Sequence, residues 1–393
     1  MSGPAQWLSR RDLLLVAAGA GLAGQTVTPD LFTGTPDLDA PGAPWPIDGG
    51  SARRDGYVET ALGDEFETVW ETAIPAGGST VRGLVVGADT LVTNEVNRLV
   101  ALDAHTGERR WTNRADWSGY AMDRVGALSL VDGTVVFATD TGPAGADVQT
   151  GDRRWNRSGR LYRRLPLGDT LLGVGEDAGV GAYDPKTGVE QWHVSKESNW
   201  NPIVAGDGRV VCLLASGAAG VVDVNDRTPT QTTLDVLSPG PTTTGAYGGG
   251  LAFLLEHGHG GGALVAFDPA AGEVRWRRES RTGSSVITDG ETVYLPDPAG
   301  DDGTIRALDA TTGDVRWERQ AALGRYTHSP VCTDERLVVN DGESLLVLDS
   351  DDGSLRNRID LRAGAVASGG PLAVAHDRLY VVTDTHVVAL EVA

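Results

Sequence analysis

Apolar residues in this chain come in short runs that stop at Gly, Asp or Pro, and few stretches hold a helical period. Leu91-Val92-Thr93, Val135-Val136-Phe137, Val210-Val211-Cys212, Thr292-Val293-Tyr294, Leu337-Val338-Val339 and Leu379-Tyr380-Val381 each follow an Asp-Gly or similar turn. Runs of this length between turn residues predict strands, and their number predicts an all-β fold. Leu99–Trp111, LVALDAHTGERRW, holds the pattern in miniature. Val100 and Leu102 alternate in a strand, Asp103 opens a turn by accepting backbone N–H groups, and Gly107 supplies the positive φ that closes it. Trp111 then sits in the returning strand.

That hairpin repeats. The spacing Asp-x-x-x-Gly-x-x-x-Trp recurs five times. The copies are Asp103, Gly107 and Trp111; Asp147, Gly151 and Trp155; Asp184, Gly188 and Trp192; Asp268, Gly272 and Trp276; and Asp309, Gly313 and Trp317. Two further copies are decayed: Asp223 is followed by Arg227 and Gln231, and Asp349 with Gly353 by Asn357. Successive Asp positions lie 44, 37, 39, 45, 41 and 40 residues apart, the length of one four-stranded propeller blade. The chain ends on His386–Glu391, which matches the strand before the turn. Phe66–Thr72, near the start, matches a final strand with no partner before it. Residues 66–74 are therefore expected to complete the last blade, giving an eight-bladed β-propeller of four-stranded blades closed by its N-terminal strand. Such closure leaves no open sheet edge. One Trp per blade fills the wedge between neighbouring sheets, worth several kcal/mol at about 25 cal/mol per Å². The motif is thus expected to be structural, and its decay at Arg227, Gln231 and Asn357 predicts two looser joints.

Charge narrows the function. The net charge is −21, and all basic residues except Lys186 and Lys196 are Arg. An acidic surface repels nucleic acid and suits solubility at high salt, so a halophilic protein without a nucleic-acid partner is expected. At the N-terminus, Ser9-Arg10-Arg11-Asp12-Leu13-Leu14 resembles a twin-arginine export signal. The apolar run that follows, Leu13 to Ala23, is short for a bilayer span of about 20 residues. Residues 1–24 read as this signal segment. Residues 25–56, with Pro29, Pro36, Pro41, Pro44 and Pro46, read as linker and lead-in, and 57–393 as the propeller. The signal implies an exported, extracytoplasmic or cell-surface protein, and a monomer is expected. Its only membrane contact would be the signal segment, if that is left uncleaved.

Ala101–Trp111 and Ala307–Trp317 closely resemble the pyrroloquinoline-quinone (PQQ) repeat, Ala-x-Asp-x-x-Thr-Gly-x-x-x-Trp. Trp45-Pro46 and Arg54-Asp55-Gly56 resemble the lead-in of the same family. The chain is similar to exported haloarchaeal PQQ-repeat proteins and to the BamB-type scaffold. The family holds both quinone-dependent dehydrogenases and binding scaffolds. The resemblance implies, for a dehydrogenase, a disulfide between adjacent cysteines over the quinone, Glu, Asn and Asp around Ca²⁺, and an Asp base. Here Cys212 and Cys332 stand 120 residues apart. No catalytic residue, cofactor or metal is therefore expected. The favoured function is a protein-binding or scaffold module at the cell envelope. A PQQ-dependent dehydrogenase and a carbohydrate- or small-ligand-binding propeller are the alternatives.

Glu256-His257-Gly258-His259 offers two imidazoles and a carboxylate, but its Gly-rich setting reads as a hairpin loop. Asp301-Asp302-Gly303 and Asp349–Gly353 lack EF-hand spacing and read as solvated turns. The links between blades gather at the mouth opposite the Asp–Gly turns and are rich in aromatic and Arg residues. Trp117, Tyr120, Arg160, Tyr162, Arg163, Arg164, Trp200, Asn201, Arg281, Arg325, Tyr326 and His328 form this candidate binding mouth. Aromatic and Arg side chains are the types that dominate binding hot spots.

Overall fold

The computed structural model describes residues 44–74, 83–95, 98–112, 128–139, 142–159, 161–175, 179–195, 200–214, 218–224, 229–232, 244–255, 262–280, 285–297, 303–323, 329–341, 344–361, 370–383 and 385–393. These form eight four-stranded antiparallel sheets. Blades 1 to 7 span 84–112, 128–156, 162–195, 200–232, 244–280, 287–320 and 331–359. Blade 8 takes three strands from 372–392 and its fourth, Phe66–Ala73, from the other end of the chain. The first strands of neighbouring blades pack side by side round the ring, from blade 1 to blade 8 and back to blade 1. The expected eight-bladed β-propeller is the observed fold, and the described residues contain no helix.

Burial follows the position of each strand in its blade. Thr170–Val174 and Gly179–Tyr183 are buried along their whole length, because a blade lies against each face. The outer strand Glu273–Ser280 buries only Trp276 and Ser280. The cores therefore lie between blades. Val85, Val92 and Ala101 of blade 1, for example, cluster with Leu130, Val135, Phe137 and Ala146 of blade 2.

Closure is a full strand pairing. Phe66 pairs with Val392 and Ala73 with His386, and the Ala393 N–H donates to the Glu65 carbonyl at 2.9 Å. Glu65 and Ala393 thus stand where other blades turn from the third strand into the fourth.

The lead-in forms a circumferential strap. Its carbonyls accept one N–H from the inner strand of each successive blade: Trp45 from Val86 (2.8 Å), Pro46 from Leu130 (2.8 Å), Ala52 from Ala205 (2.9 Å), Arg53 from Tyr247 (2.8 Å), Asp55 from Thr288 (2.9 Å) and Gly56 from Cys332 (2.9 Å). These donors occupy one register position, near the turn into the second strand. In blade 3 that position is Pro166, which has no N–H to give. There the strap takes a five-residue detour, from Ile47 to Ser51, through Gly49 (φ 87°) and Gly50 (φ 91°). A Cβ on Gly50 would meet the Trp45 ring at 3.3 Å. The detour closes when the Gly56 N–H donates to the Gly49 carbonyl (3.0 Å). Trp45 and Ile47 are fully buried, and Ile47 and Ala52 pack on Leu165 and Leu167 of blade 3. Antiparallel strands put the first turn of a blade at the same end as its Asp–Gly turn. The strap therefore runs round the inner strands at that mouth, bonded to blades on opposite sides of the ring.

Candidate functional site

The repeat motif builds the joints between blades. In each Asp–Gly turn one carboxylate oxygen accepts two backbone N–H groups: Asp103 Oδ1 from His105 and Thr106, both at 2.9 Å, and Asp309 Oδ1 from Thr311 and Thr312, both at 3.0 Å. In five of these turns, all but that of Asp184, the other oxygen accepts from an Arg seven residues on. These pairs are Arg110–Asp103, Arg154–Asp147, Arg275–Asp268, Arg316–Asp309 and Arg356–Asp349, at 2.5 to 2.8 Å. Arg110 and Arg316 hold the carboxyls of Asp103 and Asp309 down to about 2. This Arg is a component that the Asp–Gly–Trp spacing passed over. Its signal is plain in the sequence: five copies carry Arg seven residues after the Asp, four of them directly before the Trp.

The Trp reaches into the next blade. Its indole N–H donates to the carbonyl of the residue following the next blade's Asp: Trp111 to Val148 (3.0 Å), Trp155 to Pro185 (2.7 Å), Trp276 to Ala310 (2.9 Å) and Trp317 to Ser350 (2.8 Å). Trp70 does the same across the closure, to Ala104 (3.3 Å). The ring lies flat on the next turn's Gly. A Cβ at Gly151 would sit 2.7 Å from the Trp111 ring, one at Gly188 2.7 Å from Trp155, and one at Gly313 2.7 Å from Trp276. These glycines are therefore required for contact as well as for φ values of 66° to 74°.

The decayed copies alter the joints on either side of them. Trp192 of blade 3 faces blade 4, whose turn lacks the Gly. Here the ring is half-buried and packs on the cluster that Val180 and Ala182 share with Val210, Val222 and Val224 of blade 4. Trp192 thus keeps its wedge role against side chains. Blade 4 in turn offers Gln231 in its outer strand, Pro229–Thr232, where other blades have Trp. Gly272 of blade 5 therefore serves its own turn, with φ 72° and its N–H donating to the Asp268 carbonyl (2.8 Å). Arg227 lies outside the described residues. In blade 7, Asn357 keeps the polar half of the fastener. Its Nδ2 donates to the Asp64 carbonyl at 2.8 Å, at the chain ends that replace the turn of blade 8.

Of the candidate mouth, Tyr162, Arg163 and Arg164 start the inner strand of blade 3 (Tyr162–Leu167) and Trp200 and Asn201 that of blade 4 (Trp200–Gly206). These starts are the strand ends opposite the strap. Trp117, Tyr120, Arg160, Arg281, Arg325, Tyr326 and His328 lie outside the described residues, as do Glu256–His259 and Asp301–Asp302. The register slips between Tyr162 and Leu165, and Arg163 adopts φ 52°. Arg164 is 2% exposed and donates from Nη1 to the Leu161 carbonyl (3.0 Å). On the strap, Arg54 stands within electrostatic reach of Asp48 and Arg163. Burial, opposed by Asp48 and helped by Arg163, lowers its guanidinium to about 10. Further along the strap, burial raises the Asp55 carboxyl to about 6 against the pull of Arg53. Arg53 itself reaches Asp207 (3.3 Å) and lies over the Tyr247 ring.

The cysteines do not build a quinone seat. Cys212 lies in the second strand of blade 4 and Cys332 in the inner strand of blade 7. Both are buried free thiols, pushed up by burial. The adjacent pair that the dehydrogenases use does not occur in the sequence, so no step through a quinone is derived. Among the described residues no three His, Cys, Asp or Glu side chains converge as metal ligands, and no helix is long and apolar enough to cross a membrane.

A family model described as outer membrane protein assembly factor BamB matches residues 55–166 and 176–393. The chain belongs to this family of PQQ-like propellers. No curated protein matches the sequence. Among solved structures, BamB from Moraxella catarrhalis is similar at TM-score 0.62 and 17% identity, over 83% of this chain and 100% of that one. The computationally designed Ika8 protein is similar at 0.61 and 15%, over 81% and 98%. A quinohemoprotein alcohol dehydrogenase from Pseudomonas putida is similar at 0.61 and 13%, over 89% and 80%. At these identities the likeness is one of fold, shared by a scaffold, a design and an enzyme.

Proposed function

We propose that this BamB-family propeller is a non-enzymatic binding scaffold outside the cytoplasmic membrane, and that the mouth opposite the strap receives a protein partner. The observation that carries the reading is the asymmetry of the two mouths. One is lined by a strap bonded to six blades. At the other, the inner strands begin with Tyr162-Arg163-Arg164 and Trp200-Asn201, residue types suited to a hot spot. The missing adjacent cysteines weigh against the dehydrogenase alternative. Ser9–Leu14 supports twin-arginine export, and the charge of −21 supports work at high salt as a monomer.

The test is capture from the native envelope fraction, with captured proteins identified by mass. The wild-type chain is expected to retain a partner that the combined Tyr162→Ala, Trp200→Ala and Tyr326→Ala variant loses. Oxidation of alcohols or sugars by the purified chain with PQQ, Ca²⁺ and a dye acceptor would overturn the reading. A thermal shift with a sugar panel, abolished by the same variant, would move it to the carbohydrate-binding alternative.

A further inference from the structure

The chain has nine asparagines, and one of them, Asn156, is followed two residues on by a hydroxyl, in Asn156-Arg157-Ser158. Asn-x-Ser/Thr with no Pro between is the acceptor pattern for N-linked glycans. A three-residue pattern arises readily by chance, so its place in the fold decides what it can do.

Asn156 is the last residue of the outer strand of blade 2, Arg153–Asn156. It is exposed, and so are Arg157 and Ser158. Trp155 takes the joint, donating to Pro185, and strand alternation turns its neighbour Asn156 away from that joint. The outer strand is paired on one side only. Asn156 pairs with Ala144, and the Arg157 N–H donates to the Pro143 carbonyl at 3.0 Å. The chain then bends through Gly159, with φ 100°. The triplet thus ends an edge strand and enters a bend, where little has to open for an enzyme to take hold of the backbone. Its amide is also not spent on the fold. Asn340 Nδ2 donates to the Gly370 carbonyl (3.3 Å) and Asn357 Nδ2 to the Asp64 carbonyl (2.8 Å). Asn156 has no side-chain hydrogen bond among the described residues. The export signal sharpens the requirement. A twin-arginine signal passes chains that are already folded, so a transferase outside the membrane can use only an acceptor that the finished propeller offers at its surface.

We propose that Asn156 carries an N-linked glycan, added outside the membrane by a transferase from a polyprenyl-phosphate-linked sugar donor. In that step the Asn156 Nδ2 bonds to the anomeric carbon of the first sugar. The bond from this carbon to the lipid phosphate oxygen breaks, its electron pair leaves with the phosphate, and the amide gives up one proton. Nothing is oxidised or reduced. The inference rests on the export reading of Ser9–Leu14 and is independent of which partner the propeller binds. The outer strand ends on the side away from the strap, so the glycan would stand on the outer perimeter of the open mouth.

The test is mass spectrometry of the full chain purified from its native envelope fraction and cut before aspartate, which releases residues 152–168 as one peptide. This peptide is expected to be heavier by a whole number of sugar units, with fragmentation placing them on Asn156. Asn156→Gln and Ser158→Ala should each lose the added mass completely, and Ser158→Thr should keep it. Ser158→Ala leaves Asn156 in place and removes one exposed hydroxyl, so loss there reports recognition of the triplet and not misfolding. Should a variant fail to accumulate, the wild-type peptide decides alone. Chain held in the cytoplasm by Arg10→Lys with Arg11→Lys should yield the unmodified peptide. An unmodified peptide from exported wild type overturns the proposal and leaves the export and scaffold readings standing, and added mass that survives Ser158→Ala overturns it equally. Wild type found only in the cytoplasm, and unmodified, would overturn the export reading and this proposal together.

Discussion

The joint between blades 1 and 2 and the joint between blades 7 and 8 occupy equivalent places in the ring but are fastened differently. At the first, Trp111 covers Gly151 and donates to Val148. At the second, Asn357 donates to Asp64 and supplies no ring. The difference follows from what each joint faces. Trp111 lies on a covalent turn whose Gly leaves room for an aromatic face. Asn357 meets the two chain ends, where Ala393 pairs with Glu65 and Gly63 lies against Val392, whose Cγ1 would be 2.4 Å from a Cβ added there. The polar half of the fastener survives, and the apolar half moves elsewhere. Blades 7, 8 and 1 share one cluster that runs from Val347 through Leu379, Tyr380 and Leu390 to Leu91 and Val100, with Leu62 and Ile74 from the N-terminal side added. A joint that looks decayed in the motif is thus held by other groups.

Four substitutions probe this comparison. Trp155→Ala removes a buried indole and its bond to Pro185, and should cost about 3–5 kcal/mol by denaturant titration. An equal cost at Asn357→Ala would erase the distinction between the joints. Gly151→Ala adds a methyl against the Trp111 ring at a φ of 74°, and should cost about 2–3 kcal/mol in the same titration. Asn357→Ala should cost only about 1 kcal/mol, the worth of one hydrogen bond, because the shared cluster remains.

The smallest effect is expected at the turn ion pair. Arg316 holds Asp309 at about 2, below the 3.8 of an unperturbed Asp, so the folded state favours the charged form. That contribution is present above about pH 4 and disappears as the pH falls through about 2. Asp309→Asn should therefore flatten the fall of Tm in this window, and change stability at pH 7 by under about 1 kcal/mol, since the pair is partly exposed.

The repeat was legible because each copy uses side chains for a fixed job at a fixed spacing. Asp103 bonds its own turn, Gly107 admits the Trp70 ring, and Trp111 reaches the next blade. The unpaired strand at Phe66–Thr72 likewise announced the closure. Arg110 and its four equivalents were equally visible, and became meaningful only once Asp103 was seen to spend its second oxygen on them. The strap was hidden for a different reason. It is recognised through its carbonyls, which every residue carries, so Ala52, Arg53 and Asp55 hold the same bond with unrelated side chains. Only the buried pair Trp45 and Ile47, on alternate positions, hinted at contact. Pro166 spoke to the strap's detour only through its register with Leu171. Of the binding mouth, composition showed the residue types, while the slip between Tyr162 and Leu165 depends on strand register that no local pattern encodes.

The strap also sets an order of events in time. Trp45 is among the first residues of the propeller to be synthesised, yet the Gly56 carbonyl and the Val58 N–H have no mate until Cys332 exists, and Phe66–Ala73 must wait for His386–Val392. Blades 1 to 7 each complete themselves from neighbouring sequence and can form as the chain emerges. The N-terminal segment has to stay extended and unclaimed until almost the whole chain is made, and it locks the ring in a late step with a long loop to close. A truncation that removes only the last blade would therefore leave Phe66–Ala73 without a place to dock, although the strap before it keeps its mate at Cys332, and the damage would reach a segment near the opposite end of the chain from the cut.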